Sequence, residues 1–184
     1  GSGKTIVLAL KAAYLHAQHP EWKIAVTFNT RSLKGQFKQL INTFYIEQTS
    51  DEPDWDNIHI IHAWGAPGGG ERNGMYYTFC GINNIEYFDY MSARKQFGSA
   101  DPFGEACNKA LKEATNTKPL YDVVLVDEAQ DFSPAFLRLC YEMLRNPKRL
   151  VYAYDELQNL RLQSLPSPEQ IFGVDDNGVP KVKF

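Results

Sequence analysis

Four apolar runs, WKIAVTF (22–28), IHIIHAW (58–64), YDVVLV (121–126) and RLVYAYD (149–155), are separated by stretches of helical periodicity. Leu33, Phe37, Leu40, Ile41 and Phe44 recur at three and four between the first two runs, and Phe136, Leu137, Cys140, Met143 and Leu144 form a second stripe between the last two. Helices alternating with apolar strands predict an α/β fold with a parallel sheet. Ser133-Pro134 supplies a start signal for the second of those helices, with a hydroxyl at N-cap and proline at N1, and Pro147 is expected to stop it. A length of 184 residues suits one large domain or one domain with a small insertion, and 43% hydrophobic with 22% charged residues excludes disordered and collagen-like classes.

The region between the second and third runs is long and uneven. GAPGGGERNG (65–74) is expected to be a flexible loop, and residues 75–119 mix aromatics with helical stretches. This predicts a core in two parts, 1–64 and 120–184, with an inserted subdomain over 65–119. Eight aromatics lie between Tyr76 and Phe103. They are read mainly as the small core of that insertion, with a base-stacking surface as the alternative.

The chain opens with Gly1-Ser2-Gly3-Lys4-Thr5, the second half of G-x-x-x-x-G-K-[ST], whose backbone N–H groups cradle phosphates at a helix N-terminus. IVLALKAAYLHAQ follows with helical spacing, as that mechanism requires; a Gly-Ser remnant before an ordinary helix is the bland alternative. The motif's first glycine and the strand before it would lie upstream, so the chain is expected to be part of a longer protein. Farther on, the run 123–126 leads straight into Asp127-Glu128-Ala129-Gln130-Asp131. Acids at the carboxyl end of an apolar strand stand where open α/β sheets bind ligands. Asp127 is suited to hold Mg²⁺ and Glu128 to orient and deprotonate an attacking water; a solvated acidic turn is the alternative.

Taken together, these blocks resemble the first RecA-like domain of the UvrD/Rep branch of superfamily 1 helicases. GSGKT resembles its motif I, VTFNTRSL (26–33) motif Ia, IIHAWG (60–65) the motif Ib region, VVLVDEAQD motif II in its glutamine-containing form, and YAYDELQNL (152–160) motif III. The resemblance covers residues 1 to about 160 and implies a P-loop NTPase fold, with a RecA-like parallel sheet flanked by helices, acting as an ATP-dependent DNA motor.

Under this resemblance Gly1, Ser2, Gly3, Lys4 and Thr5 hold ATP, Lys4 contacting the β- and γ-phosphates and Thr5 sharing Mg²⁺ with Asp127. Glu128, Asp127 and Lys4 carry catalysis, while Gln130, Asp155 and Gln158 lie near the γ-phosphate. Thr27, Phe28, His62 and Trp64 fall where the family meets single-stranded DNA, Phe28 being suited to base stacking with a plain core aromatic as the alternative, and Arg31, Lys34, Lys38, Arg94 and Lys95 are candidate phosphate contacts. Motif III departs from the family pattern at Tyr154 and Leu160. The insertion is also shorter than in the larger family members, and a second RecA-like domain, the expected partner, is not in the sequence. A nucleotide-dependent switch that does not unwind, and an RNA-directed helicase, are the competing functions.

Composition adds limits. A formal charge of −3 leaves nucleic-acid binding to a local basic groove. Cys80, Cys107 and Cys140 contain no C-x-x-C pair, which fits neither a disulfide framework nor a zinc ribbon and favours a reducing, cytoplasmic setting. No apolar run approaches the ~20 residues of a membrane span. His59 and His62 project to opposite faces of a strand and are not expected to share a metal; His16 and His19 are expected at the surface.

Overall fold

The structure, a computed structural model, describes residues 2–153. In chain order the elements are α1 (Ser2–Gln18), β1 (Ile24–Phe28), α2 (Leu33–Thr49), β2 (Ile58–His62), α3 (Met75–Ile82), α4 (Tyr90–Phe97), α5 (Pro102–Glu113), β3 (Tyr121–Val126), α6 (Pro134–Glu142) and β4 (Leu144–Tyr152). The four strands form one sheet in the order β2-β1-β3-β4, every pair parallel. The α/β class and the parallel sheet thus agree with the sequence.

Strand alternation sorts the core into two faces. Ile24, Val26 and Phe28 of β1, Ile58 and Ile60 of β2, and Val123 and Leu125 of β3 pack beneath α1 and α2 with Leu8, Ala12, Phe37 and Ile41. Ala25, Ile61, Val124 and Val126 face the other way, under α3 to α6. Because β1 and β3 are covered on both sides, their residues are buried almost without exception. That is the pattern of inner parallel strands. The buried apolar area supplies most of the driving force, at ~25 cal/mol per Å².

Residues 65–119 do not build a core of their own. Tyr76, Phe79, Phe88 and Ala93 join Ala25, Val124, Val126, Phe136 and Leu139 in one continuous cluster. The expected inserted subdomain is therefore part of the helical layer on the second face of the sheet, and its aromatics other than the exposed Tyr90 are packing groups: Phe103 sits 5.3 Å from Phe136 and 4.8 Å from Trp64, centroid to centroid. The layer's helices carry ordinary local signals. Asp89 caps α4 by accepting from Ser92 N–H at 2.8 Å, and Asp101 caps α5 by accepting from Gly104 N–H at 3.1 Å ahead of Pro102.

Three local expectations fail. α6 begins after Ser133 as expected but ends at Glu142, not at Pro147. The Met143 carbonyl is taken by the Leu120 and Tyr121 N–H groups at 2.9 and 3.0 Å, which turns the chain into β4. Pro147 then lies inside β4, at the end of the sheet order and where the pairing register shifts, a position that tolerates a missing N–H. The second strand stops at His62 instead of residue 64, because the carbonyls of Ala63 and Trp64 accept from Tyr76 and Tyr77 at the start of α3. His16, expected at the surface, is 1% exposed: its Nε2 accepts from Asp54 N–H at 3.1 Å and its ring lies 4.8 Å from Tyr45. Burial holds its imidazole below the ordinary histidine range, against the opposing pull of Asp54.

Candidate functional site

β1 and β3 end side by side, and that juxtaposition assembles the candidate site. Asp127, one residue beyond β3, donates its N–H to the Thr27 carbonyl at 2.9 Å and so prolongs the ladder. Its side chain is buried. Thr5, in the first turn of α1, donates from Oγ1 to Asp127 Oδ2 at 2.6 Å across 122 residues of sequence, while Asp127 Oδ1 accepts from Glu128 N–H at 2.8 Å. Both carboxyl oxygens are thereby fixed, and a buried polar pair is satisfied instead of left at a cost of ~1–3 kcal/mol. Lys4 lines a cavity of about 340 Å³ with Val7, Leu8 and Lys11 of α1 and Val151, Tyr152 and Ala153 at the end of β4. The opening turn of α1 and the ends of β3 and β4 thus share one rim.

Glu128 occupies the left-handed backbone region at φ 57°. A non-glycine residue there costs about 1–3 kcal/mol and persists only where its surroundings hold it. They do so here. Glu128 Oε1 accepts from Thr30 N–H at 3.0 Å and Asn29 N–H at 3.3 Å, and Oε2 accepts from Thr30 Oγ1 at 2.8 Å. Gln130 and Asp131 follow in a short 3₁₀ turn, Ala129–Asp131. The Asp131 carboxyl is pushed up by burial first and by Glu128 and Asp127 next, so this strand end is a concentrated negative field.

The residues predicted to meet single-stranded DNA divide. Thr27 and Phe28 are fully buried. The Phe28 ring stacks at 5.8 Å on Phe37 and meets His62 edge-on at 6.1 Å, so it offers no face to a base. Its assignment as a base-stacking residue is corrected to core packing, because β1 is an inner strand with α2 over that face. Thr27 turns toward the other helical layer for the same reason. Trp64 is half-buried. Its Nε1–H donates to the Phe88 carbonyl at 2.7 Å and its ring is tilted onto Phe103, which ties it to the helical layer.

Two of the four border an open cleft, Phe28 from its floor with no accessible surface and His62 from its wall. Trp64 N–H donates to its Nδ1 at 3.3 Å, so Nε2 carries the proton and donates to the Asn29 carbonyl at 2.6 Å. Burial lowers its pKa, the Asn29 bond opposes, Arg31 adds to the lowering and Glu128 opposes it. The cleft, of about 590 Å³, is lined with Arg31, Lys34, Lys38 and Arg72 beside His62 and Glu71. Lys34 bridges to Glu71 at 3.1 Å across it. Arg31, Lys34 and Lys38 are therefore gathered, as their candidate role as phosphate contacts requires. Arg94 and Lys95 lie elsewhere, in the last turn of α4.

Sequence reasoning missed Asn29, Thr30 and Arg72. The first two act through backbone N–H groups and one hydroxyl, which no local pattern distinguishes from an ordinary turn. Gly1, Asp155, Gln158, Tyr154 and Leu160 lie outside the described residues. Among the described residues no group of three or more His, Cys, Asp or Glu could hold a metal by itself. His59 has Nδ1 at 2.9 Å from the Tyr121 hydroxyl and Nε2 at 3.0 Å from the Asp56 carbonyl. No helix among the described residues is long and apolar enough to cross a membrane. No protein family, curated protein or solved structure matches the chain.

Proposed function

We propose that the chain is the nucleotide-binding core of a P-loop, RecA-like motor that hydrolyses ATP to move along single-stranded DNA. The observation that carries this reading is the Thr5 Oγ1 to Asp127 Oδ2 bond of 2.6 Å, which joins the end of GSGKT to the first acid of DEAQD. A hydroxyl and a carboxyl in contact at a sheet's carboxyl rim are the hard-oxygen pair that suits Mg²⁺, an ion that takes one or two protein oxygens and fills its shell with water and phosphate.

In this reading Thr5 and Asp127 would hold Mg²⁺, which would neutralise phosphate charge. Lys4 binds phosphate oxygens from the first turn of α1. Glu128 takes a proton from water as the water oxygen bonds to the γ-phosphorus, and the electron pair of the broken phosphoanhydride bond leaves on ADP. The basic cleft beside His62 receives the phosphates of a single strand. Nucleotide titration of Lys4→Ala in the intact protein tests the reading. Loss of a charge-assisted phosphate contact costs on the order of 2–5 kcal/mol, so affinity should fall about 30-fold or more. Unchanged affinity for ATP would remove Lys4, and with it the phosphate site, from the proposal.

A further inference from the structure

We propose that the loop 29–32 clamps Glu128 and that a strand entering the basic cleft releases it. The inference rests on the proposed ATPase reading and extends it to regulation. Three donors converge on the Glu128 carboxyl group: the N–H groups of Asn29 and Thr30 and the Thr30 hydroxyl. A carboxylate offers about four lone-pair positions, so little capacity remains for a water proton, and the side chain is drawn along the rim toward β1. The same four-residue loop continues into Arg31 and Ser32, which line the cleft, and the Asn29 carbonyl is tied to His62, which lines it too. Acid and cleft therefore hold opposite sides of one short backbone segment.

A phosphate in the cleft attracts the exposed Arg31, one peptide unit from the Thr30 donors. Moving that unit takes donors away from Glu128. Thr30 is thus a positioning residue that acts through Glu128, and it requires no contact with nucleotide. Coupling of this kind is reciprocal: whatever loosens the clamp must also favour strand binding.

The test uses the intact protein with Thr30→Val, which keeps the side chain's shape and removes the hydroxyl, and Thr30→Ser, which keeps the hydroxyl. Binding of a fluorescent oligothymidylate, measured without nucleotide, should tighten about fivefold or more in Thr30→Val. Its ATPase without oligonucleotide should rise by a similar factor through kcat and not KM, and the ratio of stimulated to unstimulated turnover should fall correspondingly. Thr30→Ser should restore the wild-type values. Equal oligothymidylate affinity and an equal stimulation ratio in wild type and Thr30→Val would overturn the clamp. Glu128→Gln separates this outcome from failure of the ATPase reading itself. If that variant turns over like wild type, Glu128 is not the base and the parent reading fails, whereas the nucleotide-free affinity still judges the loop.

Discussion

Phe28 shows what one ring decides. It is fully buried between Phe37 and His62, on the sheet face that α1 and α2 cover. Phe28→Ala should cost ~3–5 kcal/mol, which lowers the melting temperature on the order of 10 °C in a chain of this size. Nucleotide and oligonucleotide binding should weaken together, as the folded fraction falls. A variant with wild-type melting temperature and a selective loss of oligonucleotide affinity would return Phe28 to recognition. At this scale the sequence disclosed residue types better than residue partners. Asp127 was legible as a strand-end acid, and Thr5 as the hydroxyl that closes GSGKT. The clamp on Glu128 was not, because Thr30 lies 98 residues away and two of the three donors are backbone N–H groups.

The segment joining β2 to α3 behaves differently from its composition. Its glycines predict a mobile loop, yet the chain crosses itself tightly at both ends. His62 and Gly74 form an isolated bridge, Ala66 N–H donates to the Arg72 carbonyl at 2.6 Å, and the Gly65 and Gly74 backbones lie in close contact. A Cβ on Gly74 would overlap the Gly65 backbone, which has no flexible end to swing aside. Gly74→Ala should therefore destabilise the protein by more than about 1 kcal/mol. It should also weaken oligonucleotide binding, because Gly65, Ala66, Glu71 and Arg72 form one wall of the basic cleft. Calorimetry beside an affinity titration checks both, and a variant with native melting and native affinity would mean that the crossing relaxes freely. Glycine content announces permitted backbone conformations; it cannot announce that two glycines far apart in the loop touch. The same limit applies to Pro147, which ends helices by local rule but sits here in a sheet-end strand whose register shift accommodates it.

At the scale of the molecule, the four-stranded sheet carries both the Thr5–Asp127 contact and the basic cleft at its carboxyl rim. Helices α3 to α6 form a layer that shares a continuous core with that sheet. Strand and helix alternation made the parallel sheet legible in the sequence, whereas the sharing of one core was not, since a long gap between strands reads the same whether its helices pack on themselves or on the sheet. The two arrangements unfold differently. A subdomain with its own core would melt on its own, but a layer that shares Val124, Val126 and Phe136 with the sheet must unfold with it. The chain's three tryptophans allow a direct measurement: Trp22 and Trp55 pack on the α1–α2 side, and Trp64 on the other. In a Trp22→Phe/Trp55→Phe variant all tryptophan fluorescence reports from Trp64, while far-ultraviolet circular dichroism reports from every helix and strand. Urea unfolding followed by the two signals should give one midpoint and one slope, because the Trp64 ring is anchored on Phe103 and its Nε1 on Phe88, inside the common core. An earlier midpoint by fluorescence would show residues 65–119 opening as an independent unit and would restore the three-part organisation expected from the sequence.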